Sequence, residues 1–456
     1  MTETPPPPSR VSRLRTPAAK VGMILALLVA MLIPLAMVSS LIAERQARQD
    51  DTVRELGRGW GPEQTVAGPL LVVPYATAEA SARTGNAPRL SGYVRIPASQ
   101  LHVDATLQPQ LRHRGLFHAA IYTAAVTLNG TFTIPDFAAA QGSALGNASL
   151  DWQGAHLILG ASDLRGLPPG TALSWNGLSV PLGLGQRQAA CGLTLFDAPA
   201  PLAPAPRPGA VATFKLLLSL RGTQAFHIQP TAVQSSIQIS SPWATPGYIG
   251  ASLPTAEALD AHGFAASWTM AGDAESAFWQ QRSTAVPDCD EAADKAFFDQ
   301  DRSIGVELRE AVPVYLMVAR AQKYGVLFLA LSFLTLFLFE AVARVRIHVV
   351  QYGLLGLSVS LFALLLISAA EPLGFTAGYA ISTAAVLAQA SLYTLSVTQR
   401  ARLAATFAGV LGSLFGFLYV VLSLDAYALL AGTVALFIVL SVVMVVTRRV
   451  NWEDAA

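Results

Sequence analysis

The stretch from Tyr315 to His348, YLMVARAQKYGVLFLALSFLTLFLFEAVARVRIH, constrains the chain more than any other. Between Tyr324 and Phe339 it carries no charge. With Val318–Arg320 leading in and Glu340–Ala343 leading out, it is long enough to cross a hydrocarbon core of about 30 Å. Lipid offers the backbone no hydrogen-bond partners, so an uncharged run of this length folds as a helix. Ahead of it, back to about Ala43, the sequence is water-exposed in character, and after it the sequence is almost wholly apolar. Of all residues, 53% are hydrophobic and only 13% charged, against roughly 25% charged in a soluble chain. The chain therefore reads as an integral membrane protein whose first partner is the lipid bilayer. Its formal net charge of +1 excludes a strong field for nucleic acid.

Residues 1–20 form a Pro-rich basic tail with little to bury, read as disordered and cytoplasmic. Residues 21–43 are an apolar run preceded by Arg10, Arg13, Arg15 and Lys20. The run is longer than the about 7–15 residues of a secretory signal's apolar region, and Ser39-Ser40 is a poor cleavage site, so it reads as an uncleaved anchor. Pro34 inside it is tolerated in a membrane helix. The charged continuation from Glu44 to Glu55 is read as helical.

From Trp60 the pattern changes to short runs of β-branched residues between Pro and Gly. Strands are expected at Gly68–Tyr75, Tyr93–Ile96, Leu101–Leu107, Ala119–Leu128 and Thr131–Ile134, with Asn129-Gly130 as a hairpin turn. Further strands are expected at Ala155–Leu159, Leu178–Leu182, Ala210–Leu220, Ser235–Ser240 and Ala265–Met270. This argues for a large antiparallel β domain over 44–314, a sandwich or open barrel. The Pro-rich loop Ala198–Gly209 is a candidate separator of two sub-sandwiches, and acidic Asp288–Glu310 leads back to the membrane.

The region 315–447 holds five apolar runs, near 324–343, 349–370, 375–397, 403–424 and 427–447. With the anchor they make six spans, followed by a cytoplasmic tail at 448–456. Arg10, Arg13, Arg15 and Lys20 precede span one; Arg344 and Arg346 follow span two, Arg400 and Arg402 span four, Arg448 and Arg449 span six. The alternate turns carry Glu371 and Asp425 and no basic residue. Basic residues concentrate on the cytoplasmic side of a membrane. Both termini are thus expected in the cytoplasm and the β domain, inserted between spans one and two, outside it. The expected fold class is an α+β membrane protein.

Several blocks resemble the CreD-type inner membrane protein family of Gram-negative bacteria. They are ERQARQDD, then Gln64 with GPLLVVPY; RHRGLFHAAIYTAAVTLNGTF from Arg112 to Phe132; and ISSPWATPGYIGASLP with GFAASW from Ile239 to Trp268. Arg320-Ala-x-Lys-Tyr324, LFLALSFLTLFLFE, His348 and Gln351-Tyr352 complete them, so the resemblance covers most of residues 43 to 447. Three positions depart from the family pattern. Ala311-Val312-Pro313-Val314-Tyr315 lacks an Asp, Val349 replaces a Pro, and Ala370-Glu371-Pro372 keeps only the Glu of a Ser-Glu-His. The resemblance implies an envelope protein tied to a two-component regulatory system, colicin tolerance and the response to β-lactam damage, with no defined molecular activity.

No G-x-S-x-G, Walker or H-E-x-x-H motif occurs, so neither an enzyme nor a cofactor is expected. His102, His113 and His118 lack a framing Cys or carboxylate and read as surface or turn histidines rather than a zinc site. Cys191 and Cys289 are either bridged or two unpaired thiols, and no CxxC points to redox chemistry. Polar groups in the spans are costly, which singles out Glu340, His348, Gln351 and Glu371 as a candidate polar site; interfacial anchoring, with Glu340 pairing Arg344, is the plainer reading. Gly409, Gly412 and Gly416 form a small-residue stripe suited to helix packing, inside the bundle or between copies. Two functions follow: a non-enzymatic envelope-stress scaffold binding envelope components through its outer domain, or a transporter or lipid-handling permease using the polar residues of the bundle.

Overall fold

The computed structural model describes residues 17–78, 89–137, 148–184, 193–271, 303–309, 314–343, 347–423 and 428–447. Two compact units emerge, Gln49–Ala311 and the pair Met1–Arg48 with Val312–Ala456. Helix α1 (Pro17–Trp60) is one continuous element through Pro34 and supplies residues to both. Cys191 and Cys289 lie outside the described residues.

The Gln49–Ala311 unit is built from two mixed sheets rather than the antiparallel ones expected. The first is organised on β1 (Gln64–Ala78), β2 (Arg89–Pro97), β5 (Ala148–Leu150), β6 (His156–Ala161), β9 (Gly183–Leu184), β10 (Thr194–Pro199), β12 (Ala225–Pro230), β14 (Pro246–Gly250) and β17 (Ile304–Leu308). The second runs β15 (Ala256–Asp260), β16 (Gly263–Ala271), β13 (Gln234–Ser241), β3 (Gln100–Arg114), β4 (Phe117–Thr133), β11 (Val211–Thr223), β7 (Ala172–Trp175), β8 (Leu178–Pro181). Each sheet contains one parallel pair: Gln64 lies beside Phe226 in the first, Gln100 beside Gln234 in the second. A parallel pair needs a long crossover. Turn signals report only neighbours in sequence, so neither pair could be read from them.

Alternation sets the faces. In β13 Ile237 and Ile239 point inward while Gln234, Ser236 and Gln238 face out. Trp268, Tyr122, Phe132, Phe226 and Leu71 fill one core between the sheets, and Phe132 packs on Phe214 at a ring separation of 5.3 Å. That core takes residues on both sides of the Pro-rich loop, Phe196 as well as Ala212. The loop joins one sheet to the other and does not separate sub-sandwiches.

One local expectation is corrected and another gains an element. Asn129-Gly130 is not a turn; both residues lie within β4, opposite His102 and Leu101. A Cβ on Gly130 would collide with the Gln100 carbonyl and sit 2.9 Å from the Phe214 ring, so this glycine is there for a close approach. The hairpin is at Gly115-Leu116, where Gly115 has φ +64. The acidic stretch before Tyr315 contains a buried strand, β17, paired with β12 and β14.

The other unit continues with α2 (Val314–Lys323), α3 (Gly325–Ala343), α4 (Val349–Ser360), α5 (Phe362–Leu373), α6 (Phe375–Thr398), α7 (Ala401–Ser423) and α8 (Ala428–Thr447). α2 and α3 meet at a bend of 42°, and α4 with α5 make one stretch, Val349–Leu373. Among the described residues four helices are long and apolar enough to cross a membrane, five with the bent pair counted. Its core joins Leu35, Phe328, Phe333, Tyr352, Phe407 and Phe415, while Leu25, Ile33, Ile381 and Leu392 face outward. Apolar side chains on the outside as well as the inside are what a helix bundle in lipid requires.

Candidate functional site

The four polar residues singled out in the spans do not form one site. Glu371, near the C-terminus of α5, accepts a 3.0 Å hydrogen bond from the Tyr315 hydroxyl of α2 through Oε1, and its Oε2 lies 3.7 Å from Arg45 Nη1 of α1. The Glu371 side chain is only 9% exposed and Arg45 is 36% exposed. One buried carboxylate thus joins three helices, taking a hydroxyl from one and a guanidinium from another. Arg45 and Tyr315 were not singled out from sequence. The signal was their place as the first basic residue after the anchor run and the aromatic heading the next span.

Glu340 belongs to another group. Tyr352 of α4 donates to Glu340 Oε2 of α3 at 3.4 Å, and Arg344 lies outside the described residues. His348 and Gln351 cap α4. The Val350 N–H donates to His348 Nδ1, and the His348 N–H donates to Gln351 Oε1 at 2.8 Å. This is a reciprocal capping box, so both side chains are occupied with the helix start. Beside Gln351 and Tyr393 a pocket of about 10 Å³ remains, about the least that holds a single water (~10–15 Å³). Deeper in, the Ser358 hydroxyl bonds Gln389 Oε1 at 2.8 Å, linking α4 to α6.

Among the described residues, Gly409 and Gly416 have nothing within 4 Å of where a Cβ would stand, and Gly412 meets only Leu387, at 3.8 Å. Close approaches inside the bundle occur instead at Gly356, where a Cβ would stand 2.7 Å from the Phe333 ring, and at Gly378, where one would stand 2.6 Å from the Ala370 backbone.

In the β unit the three histidines divide. His113 and His118 face each other across the β3–β4 hairpin with ring centroids 5.5 Å apart, while His102 pairs with Asn129 farther along. Among the described residues no group of three or more His, Cys, Asp or Glu could hold a metal. A groove of about 670 Å³ crosses the ends of β3, β4, β13 and β16, lined by Gln100, His102, Asn129, Thr131, Gln234 and Ser236 among others. Ser236 lies opposite His102, and Asp104 follows on the same face, yet no hydrogen bond links the three among the described residues. The groove can donate and accept hydrogen bonds, and it lacks the nucleophile-to-base bond that activates a serine.

Elsewhere in the β unit, hydrogen bonds between residues distant in sequence tie the strands together. The Tyr122 hydroxyl donates to the Ala225 carbonyl, and burial pushes its phenol up, so the donating proton is retained. Gln64 Nε2 donates to the Arg221 carbonyl at 2.8 Å. More locally, Asp163 takes three bonds from Arg165, two from the guanidinium and one from the backbone N–H, which hold its carboxyl below the usual range. Burial depresses the His227 imidazole.

A family model described as Inner membrane protein CreD matches residues 16–453. The chain belongs to the CreD family. A curated relative, Inner membrane protein CreD of Escherichia coli (strain K12), is 26% identical over 427 residues, covering 92% of this chain and 90% of the relative. The CreD match and the apolar helices make this an inner membrane protein.

Proposed function

We propose that this CreD-family chain is a non-enzymatic envelope scaffold. It crosses the membrane six times, keeps both termini in the cytoplasm, and binds envelope components through an extracytoplasmic β domain inserted between spans one and two. One observation carries the binding reading. The groove of about 670 Å³ sets the amides and hydroxyls of Gln100, Asn129, Thr131, Gln234 and Ser236 beside apolar Leu101, Phe214 and Met270, fit for a partner with both polar and apolar parts, with no hydrogen-bonded nucleophile among its described residues. The Glu371 junction supports the anchoring half. Arg45 lies just before the β unit and Tyr315 just after it, and Glu371 holds both. The alternation of basic loops supports the topology.

Crosslinking from a photoreactive residue at Gln234, followed by purification under denaturing conditions, tests it. A discrete adduct that is lost on Asn129→Trp is the result expected. No specific adduct, or hydrolysis abolished by Ser236→Ala, contradicts it.

The second reading, a transporter or lipid-handling permease, is favoured by the Ser358–Gln389 and Tyr352–Glu340 bonds, which place polar groups between helices. It requires Glu340→Gln, Gln351→Ala or Glu371→Gln to abolish a transport phenotype at normal expression. Wild-type behaviour of all three removes it.

A further inference from the structure

The Arg-Ala-x-Lys-Tyr block ends α2 and has no part in the proposed scaffold. Its depth follows from two bonds. At one end of α2, Tyr315 and Arg45 meet on Glu371. At the other, Gln322 Nε2 donates to the Leu35 carbonyl, and a Cβ on Gly325 would stand 3.0 Å from the Leu35 side chain. Leu35 lies in the middle of the uncharged run of α1. At 1.5 Å rise per residue, Lys323 is about 12 Å along α2 from the Glu371 level.

Lys323 is exposed there. Leu316, a heptad earlier on the same face of α2, is 45% exposed, and Val326, just past the 42° bend, is 42% exposed. An outward stripe of Leu, Lys and Val at this depth faces hydrocarbon. Among the described residues Lys323 has no hydrogen-bond or ion-pair partner. Arg320, three residues nearer the Glu371 level, shares that face by helical spacing. A charged group placed in the membrane pairs or reaches for the interface. The lysine stem covers only part of the distance.

We infer that the α2–α3 bend is a binding site for the phosphate of an anionic lipid, held by Lys323 with Arg320 above it, in the leaflet on the Glu371 side. The lipid's acyl chains run on past Val326 along α3, and its headgroup supplies the counter-charge that Lys323 does not find among the described residues. This rests on the reading that these helices cross the bilayer. It does not depend on what the β domain binds.

Native mass spectrometry of the full chain in micelles with equal phosphatidylglycerol and phosphatidylcholine tests it. The wild type is expected to retain phosphatidylglycerol at least about fivefold over phosphatidylcholine. Lys323→Gln brings that ratio to about one, and Lys323→Arg restores it. An unchanged ratio in Lys323→Gln overturns the site, and so does a wild-type ratio near one, which needs no variant to fold. Inorganic phosphate added at millimolar concentration leaves the lipid bound. Displacement of the lipid by phosphate alone shows a free-anion site and overturns the lipid. Failure of the scaffold reading is seen separately, as missing crosslinks with the lipid ratio intact.

Discussion

On β13 the exposed residues are Gln234, Ser236 and Gln238 and the buried ones include Ile237 and Ile239. On α6 the exposed residues include Ile381 and Leu392, and Ser382 and Thr394 are buried. The first pattern uses water as solvent; the second uses lipid. In the β unit, removing apolar surface from water stabilises the core. In the bundle that term nearly vanishes, because lipid tails are as apolar as leucine, and packing and interhelical bonds remain. Satisfied polar contacts such as Glu371 with Tyr315 therefore matter more to the bundle's uniqueness than its leucines do.

The largest expected effect sharpens that contrast. Phe132→Ala in the β core should cost about 3–5 kcal/mol, read as an early transition in thermal unfolding of the detergent-solubilised chain. Phe333→Ala in the bundle should cost less, since the transfer part of the penalty is missing in lipid. Equal losses would break the comparison. Next, Tyr122→Phe deletes the bond to the Ala225 carbonyl and leaves that acceptor buried, so the β transition should fall by about 1–2 kcal/mol. A neutral result would show that the carbonyl finds another donor.

Much of this contrast is legible in the amino-acid sequence. Runs such as Phe375–Thr398 and the alternation of QSSIQIS are local periodicities, and local periodicity identifies elements directly. What escaped depends on partners distant in sequence. Nothing near Gln100 shows that Gln234 lies beside it. Gly130 carries a turn signature because Asn-Gly usually marks a turn, yet here the Phe214 ring occupies the space a side chain would need. At the candidate site, Glu371 was visible as an acid in a short turn, while its partners Arg45 and Tyr315 come from helices far apart in the chain. His348 and Gln351 were visible as polar groups at a span's start, and their capping of α4 is a plainer task than a shared polar site.

Two smaller effects follow. Glu371→Gln keeps an acceptor for Tyr315 and loses the negative charge that faces Arg45. Because Arg45 is partly solvated and screened, about 0.5–1 kcal/mol is expected in the bundle transition, with the β transition unchanged. Glu371→Leu, which removes both bonds, should cost more. Equal behaviour of the two would show that only the charge matters. The smallest effect is a pH dependence. Burial holds the His227 imidazole below its ordinary 6.5. The unfolded chain therefore takes up a proton before the folded one, and this group's contribution is full above 6.5 and declines as pH falls below it. His227→Gln should flatten that limb of the β transition between pH 7 and 5.5. An unaltered slope would assign it to other groups.

The central claim is that two solvents shape one chain, water outside the cytoplasm for the β unit and lipid for the helices. Gly209 sits in an exposed turn at φ +80, suited to carrying a reporter. An alkaline phosphatase inserted there should be active, and a fluorescent protein that matures only in the cytoplasm should stay dark. A bright fluorescent protein with an inactive phosphatase would contradict the topology.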